Sequence, residues 1–370
     1  MTGADGAHGT RPGVVPSQML RAMVASGAIS GGAPVEPGQL QPASLDLRLG
    51  RRAWRVRASF LAGAHSSVAD RLADFSMHEI DLAGGAVLET GCVYVVELEE
   101  RLALPPDIAA AANAKSSTGR LDLFTRLIAD RQTEFDRVSP GYEGRLYAEI
   151  CPRTFSVLAR PGLRLNQLRL RRGRAEIPDA ELAAMHARER LVDTEPVIDG
   201  GIGFSVDLTA RGADGIVGWR ARRHSALIDL ARLGHYDPAE FWAPVRPRLA
   251  GSVILDPGAF YILVSRESVT IPPGTAAEML PYMAVAGEFR VHYAGFFDPG
   301  FGHPEAGGAG SRGVLEVRCH EAPFALEHGQ VVGRLVYERM IERPDRLYGR
   351  EIGSTYQGQA LQLSKHFRAP

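Results

Sequence analysis

Between Asn113 and Arg131 the chain reads NAKSSTGRLDLFTRLIADR, with Lys115, Ser116, Ser117, Gly119 and Arg120 inside six residues. Two cations, two hydroxyls and a glycine in that space have the chemistry of an anion cradle. The cations supply charge-assisted hydrogen bonds, the strong kind. The hydroxyls add neutral donors, and Gly119 lets the backbone come close. Arg131 is near enough in sequence to add a third cation. The motif is not a Walker loop, because G-x-x-x-x-G-K-[ST] is absent. Taken alone, it also describes an ordinary Lys-Ser-Ser surface turn. Lys115 and Lys365 are the only lysines in the chain; arginine carries the rest of the basic charge, which reads as a compositional bias.

A second group with chemical potential is Glu149 in GRLYAEICPR. Period-two alternation puts Leu146, Ala148 and Ile150 on one face and Tyr147 and Glu149 on the other. Glu316 in GVLEVRC has the same setting. A carboxylate among apolar neighbours has its pKa raised and can shuttle a proton. The competing reading is a solvated carboxylate on the outside of a barrel. Zinc chemistry is not expected: H-x-E with P-C-x-x-C is absent, and so is H-E-x-x-H. His186, His224, His235, His292, His303, His320 and His328 are scattered and read as surface or packing residues. No G-x-S-x-G elbow supports a serine nucleophile. The tail GSTYQGQALQLSKHFR offers Tyr356, Gln357 and Gln359. Such a polar segment would either stay disordered or fold over a ligand as a lid.

The elements that must position these groups are mostly strands, and they occur twice. LETGCVYVVELEERLALPP, from Leu88, parallels LDPGAFYILVSRESVTIPP, from Leu255. Leu88, Gly91, Tyr94, Glu100, Pro105 and Pro106 recur as Leu255, Gly258, Tyr261, Glu267, Pro272 and Pro273, a shift of 258 − 91 = 167. The same shift relates Glu149 to Glu316, Gly162 to Gly329 and Leu168 to Leu335. SLDL at Ser44 echoes SVDL at Ser205 with a slightly different offset. A period this long implies two copies of one domain, not a solenoid. Short alternating runs punctuated by SPGYEG, DPGFG, ARPG and EHGQ suggest barrels or jelly-roll-like sandwiches with few short helices. Helical patterns are expected over Pro16–Gly27 with Ser17 as cap, over Asp179–Asp193 as connector, and as a short turn over Asp237–Pro247. The boundary is placed near residue 190, giving domains 1–190 and 191–370. The copies differ at the cradle: KSSTGR is matched by YMAVAG at Tyr282–Gly287, while the second copy keeps AGFFDPGFG at Ala294–Gly302.

Composition narrows the partners. The 370 residues are 45% hydrophobic and 23% charged with a formal net charge of −1. No basic field exists to hold nucleic acid or a membrane surface. Cys92, Cys151 and Cys319 are few, odd in number and not in C-x-x-C spacing, which favours a reducing, cytoplasmic setting. No run reaches the ~20 apolar residues of a bilayer span.

Taken together, QPASLDLRLG, KSSTGRLDLF, GYEGRLYAEI and YQGQ resemble the motifs of the dCTP deaminase family, within the dUTPase-like superfamily. The resemblance implies a mainly β fold of two tandem dUTPase-like barrel or jelly-roll-like domains. It implies hydrolytic deamination of dCTP to dUTP and ammonia without zinc. Glu149 or Glu316 would be the general acid/base, with Ser116 and Arg120 positioning the water or stabilising charge. Lys115 and Ser117 would hold phosphates, with Arg131 nearby. Asp298 would lie near sugar and base, and Tyr356, Gln357 and Gln359 would close over the triphosphate. Mg²⁺ would arrive with the nucleotide, and dTTP is the expected candidate for an inhibitor. Sites between barrels imply a homo-oligomer. Lys115 stands in place of the family's usual arginine and cannot form its bidentate fork. Asp130 replaces a histidine, Ser139 the turn aspartate of the first copy, and no lysine precedes Tyr356. Because each copy keeps half of the motifs, a composite site is expected, with Ser116 and Arg120 facing Glu316 and with Glu149 structural or serving a second interface. The alternatives are a dUTP/dCTP-cleaving or bifunctional dUTPase-type pyrophosphatase, and a catalytically silent nucleotide-binding regulator.

Overall fold

The computed structural model describes residues 11–210, 214–247, 251–281, 289–292, 295–319, 322–349 and 352–369; for residue 281 and residues 289–292 it describes the backbone alone. The YMAVAG stretch at Tyr282–Gly287, Ala294, His320 and the side chain of His292 therefore lie outside the described residues.

The chain is mainly β, and the repeat holds strand for strand. At the shift of 167, Val93–Ala103 corresponds to Phe260–Val269 and Ile108–Ala114 to Thr275–Pro281. Glu143–Pro152 corresponds to Ser311–Cys319, and Arg164–Arg172 to Val331–Arg339. Single hydrogen bonds repeat as well. The Glu89 amide donates to Tyr94 Oη at 3.1 Å, and the Asp256 amide to Tyr261 Oη at 2.9 Å. Glu100 accepts from the Arg48 amide, and Glu267 from the Ser205 amide, each at 2.8 Å. These carboxylates are buried and each ties its copy's opening strand to the barrel.

In the first half the strands run Leu123–Ala129, Glu143–Pro152, Val93–Ala103, Leu45–Val56, Arg164–Arg172, Ile108–Ala114, Arg137–Val138, with antiparallel neighbours. The second half splits its strands. Ile202–Ser205, Val331–Arg339, Thr275–Pro281 and Phe296–Phe297 form one sheet; Trp242–Val245, Gly218–Ala221, Phe260–Val269, Ser311–Cys319 and Phe289–His292 form another. Alternation along each strand turns leucine and valine inward, as in Leu45, Leu47 and Leu49, all fully buried. Among the described residues no helix is long and apolar enough to cross a membrane.

Helices are short and begin or end where local chemistry dictates. The first is Ser17–Ala25, preceded by Pro16, and Ser17 is not its cap: its hydroxyl bonds Asp345 instead. The connector stops at Arg188, short of Asp193, and its Leu182 packs in the second core. Asp237 caps a single turn, Pro238–Phe241, after which the chain becomes a strand, not more helix. Val68–Phe75, unanticipated from periodicity, is capped reciprocally by Ser67 and Asp70.

The halves share an apolar seam. Phe155 of the first half meets Phe241 and Trp242 of the second at 5.7 and 5.5 Å between ring centres, and the tail's Phe367 reaches Phe241 at 5.4 Å. Val157–Leu158 pairs in parallel with Ile228–Asp229. Beside the apolar contacts lies a buried ionic one. Arg169, fully buried, donates to Glu338 at 2.9 Å, to Asp298 at 3.1 Å and to the carbonyls of Ala277 and Phe297. Removing one side of such a pair strands the other's charge in the interior. Arg169→Met is expected to cost about 3–5 kcal/mol in urea unfolding, with Arg169→Lys between it and the wild type; an unchanged midpoint in Arg169→Met would contradict this account of the seam.

Candidate active site

A cavity of about 600 Å³ opens between the two halves, and both line it. Its first wall is the cradle. The strand Ile108–Ala114 ends at Lys115, and Ser116–Gly119 makes one helical turn. Thr118 Oγ1 pins that turn by donating to Leu165 O at 3.0 Å. Asp122 then takes φ 54°, a left-handed conformation that short polar side chains tolerate, and sends the chain into Leu123–Ala129. The turn leaves Lys115, Ser116, Ser117 and Arg120 all lining the cavity.

Arg120 is almost wholly buried and is held by the tail. Its Nη1 donates to Gln362 O at 3.0 Å and its Nη2 to Gln359 Oε1 at 2.7 Å, while Tyr356 stacks beneath the guanidinium at 3.8 Å. Gln359 is fixed in turn by donating to Arg312 O at 2.8 Å. Arg120 Nε lies 3.9 Å from Glu316 Oε1, too far for a hydrogen bond. It has no other partner among the described residues. The orphaned N–H and the carboxylate therefore face one small space that a polar atom could share.

Glu316 lies on Ser311–Cys319 and is 4% exposed. Burial pushes its carboxyl up to about 8, with Arg120 pulling the other way. The apposition with Arg120 is guarded by a second contact across the seam. Arg318, two residues along the same strand, is ion-paired to Asp122, two residues past Arg120, and also donates to Gly258 O at 2.7 Å. Thr154 joins this group by donating to Asp122.

At the other end, Lys115 is ion-paired to buried Asp46, and Arg164 Nη1 stands 4.0 Å from the other Asp46 oxygen. Asp298 also lines the cavity; burial raises its carboxyl, against the pull of Arg169. It sits in the DPGFG turn, where a Cβ on Gly302 (φ 67°) would be 2.0 Å from Val269 O. Only glycine fits there.

Nine of the side chains singled out in the sequence fall into two places. Ser116, Ser117, Lys115, Arg120, Asp298, Glu316, Tyr356 and Gln359 line the one cavity. Gln357 lies behind it, bonded to Gly302 N at 3.0 Å and Gly300 O at 3.1 Å, so it braces the turn. Glu149 and Arg131 are elsewhere. Glu149 is buried against Arg126, whose Nε donates to it at 3.1 Å, and Arg131 is an exposed loop residue at φ 54°. Asp130 accepts from the Val68 amide at 2.7 Å and so serves a helix start. Sequence reading passed over Asp46, Arg164, Lys365 and Arg318. Asp46 had a signal in the recurring SLDL motif, and Arg318 in its spacing from Glu316. Arg164 had none.

Residues 11–174 match the family model for the N-terminal domain of 2'-deoxycytidine 5'-triphosphate deaminase, and residues 178–367 that for its C-terminal domain. The chain belongs to the dCTP deaminase family. A crystal structure of 2'-deoxycytidine 5'-triphosphate deaminase from Agrobacterium tumefaciens superposes with a TM-score of 0.86 at 53% identity, covering 89% of this chain and 99% of that one. Among curated proteins, dCTP deaminase of Haloarcula marismortui is 32% identical over 35% of this chain and 65% of its own length. For dCTP deaminase of Halorubrum lacusprofundi the values are 33%, 35% and 62%. The chain thus spans less than two thirds of either relative. A protein of Nocardioides sp. named dCTP deaminase, dUMP-forming, is 33% identical over 36% of this chain and 67% of its own length.

The raised carboxyl of this dCTP deaminase family member has a consequence that needs no substrate. Unfolded, Glu316 would titrate near its ordinary value of about 4.3; folded, it holds its proton to about 8. Between those values the native state binds more protons, so stability falls as pH rises. Glu316→Gln removes that dependence. The variant is expected to gain thermal stability relative to wild type as pH rises from about 5 to about 8; parallel melting curves would refute the burial of this charge.

Proposed function

We propose that the chain hydrolyses dCTP to dUTP and ammonia, with Glu316 as the proton-transferring carboxylate. The observation that carries this reading is the apposition of Arg120 from one half and Glu316 from the other in a single cavity, 3.9 Å apart. In this reading a water held between them gives its proton to the Glu316 carboxylate as its oxygen bonds to C4. The proton passes to N3, and negative charge developing on the ring is met by donors already in place. Glu316 then takes the proton of the new hydroxyl and delivers it to the amino group, which leaves as ammonia. Water and dCTP are consumed, dUTP and ammonia appear, and Glu316 is regenerated.

Lys115, Ser116 and Ser117 would bind the phosphates of the nucleotide, which would enter as its magnesium complex, the ion offsetting part of the phosphate charge. Asp298, oriented by Arg169, would accept from the sugar or base. Tyr356 and Gln359 would hold Arg120 and cover the bound nucleotide. No step is assigned to zinc. Glu149, locked to Arg126, has no part in the reaction.

A second reading has support in the relatives named dUMP-forming: a second water would hydrolyse the product dUTP to dUMP and pyrophosphate in the same cavity. The two are separated by incubating the protein with dCTP and Mg²⁺ and resolving dUTP, dUMP and ammonia. Glu316→Gln is expected to lower kcat by about 10²-fold or more, while Glu149→Gln stays near wild type. Loss through Glu149 alone would overturn the assignment, and tight dCTP binding with no ammonia would mark a silent regulator. Because Glu316 acts in its charged form, kcat/KM is expected to rise with pH up to about 8 and to level off above it.

A further inference from the structure

Lysine is the scarcest charged residue in this chain, and both copies of it, Lys115 and Lys365, line the same cavity. They come from distant parts of the chain. Lys115 closes a strand of the first half, and Lys365 lies five residues from the C-terminus. The tail around Lys365 is firmly held. Ser364 Oγ donates to Ser117 O at 2.7 Å, the Lys365 amide donates to Tyr356 Oη at 3.3 Å, and Lys365 O accepts from the Gly234 amide at 2.9 Å. His366 is anchored through Leu230 O at 3.2 Å. Ser364 and His366 on either side are buried, and Lys365 itself lines the cavity.

The charges at this end of the cavity do not balance. Arg164 is paired with Glu36 and Lys115 with Asp46. Among the described residues Lys365 Nζ has neither an ion-pair partner nor a hydrogen bond. His366 adds no positive charge at neutral pH, since burial pushes it down to about 4. Burial, then Lys115, likewise lowers Lys365. A half-buried ammonium beside a second cation is costly until an anion arrives to neutralise it.

We propose that Lys365 is the tail's phosphate-binding residue, meeting the polyphosphate of the nucleotide alongside Lys115, Ser116 and Ser117. This rests on the nucleotide reading above and adds to it a ligand from a segment whose polar motif suggested only Tyr356, Gln357 and Gln359. It also gives the tail a reason to be ordered. One strand-end cation and one tail cation meet on the same anion, so phosphate charge ties the C-terminus to the cradle. A compact ammonium suits this role, because it can meet oxygens of more than one phosphate without the fixed fork of arginine.

The test separates this inference from the reading it rests on. Binding of inorganic tripolyphosphate with Mg²⁺, measured by calorimetry, requires no deamination. Lys365→Met is expected to weaken it about tenfold, the equivalent of one charge-assisted contact, and Lys365→Arg to restore most of it. With dCTP, Lys365→Met is expected to raise KM by a similar factor and leave kcat within about twofold. Pyridoxal phosphate followed by borohydride should label the peptide containing Lys365, with tripolyphosphate protecting it. Tripolyphosphate binding unchanged in Lys365→Met, with the variant melting like wild type, overturns the inference. Weakened tripolyphosphate binding in Lys365→Met, together with a wild-type protein that releases no ammonia from dCTP, overturns the deaminase reading and leaves the phosphate role of Lys365 standing.

Discussion

Buried guanidinium–carboxylate contacts cross the seam between the halves in both directions, and the geometry of the cavity depends on them. Arg169 reaches from the first half to Asp298 and Glu338 of the second; Arg318 reaches back from the second half to Asp122 of the first. Burying such groups is expensive, and well-packed apolar residues would often stabilise a seam as well or better. What the ion pairs add is directional. A guanidinium satisfied on several edges tolerates only one register, so each fixes where its neighbours sit. Arg318 and Asp122 stand two residues from Glu316 and Arg120, and thereby fix the spacing between those two side chains.

The same desolvation shapes the chemistry. Glu316 would be an ordinary carboxylate at a barrel surface. Enclosed by the second half's strand, Arg120 and the tail, it holds its proton to about 8, near the range where a group can both accept and return one. Glu149, its counterpart at the shift of 167, is equally buried but is already answered by Arg126 from its own half. Duplication placed a carboxylate in both copies. Their partners differ: Arg126 of the same half is ion-paired to Glu149, whereas Arg120 of the other half stands 3.9 Å from Glu316.

The tail belongs to this arrangement. Tyr356 stacks on Arg120, Gln359 bonds it, Ser364 is pinned to the cradle and Lys365 lines the cavity. Phe367 buries itself among Tyr236, Phe241 and Trp242 of the second half. The last residues therefore join both halves around one space, and a segment that polarity alone would leave loose is held by contacts at several points along its length.

The sequence determined the parts. The period of 167, the alternation of the strands, the glycines of the turns, the cradle and the paired glutamates all follow from local pattern, because side-chain period and turn chemistry are local properties. The retention of the cradle in one copy and of DPGFG in the other pointed to a composite site. The tertiary structure decided which parts meet. That Arg120 and Glu316 stand 3.9 Å apart, that Arg131 stays outside, and that Asp46, Arg164 and Lys365 stand at the cavity are facts of packing between distant segments. No local rule encodes them, since burial and electrostatic partnership come into being only when the two halves and the tail close around the same volume.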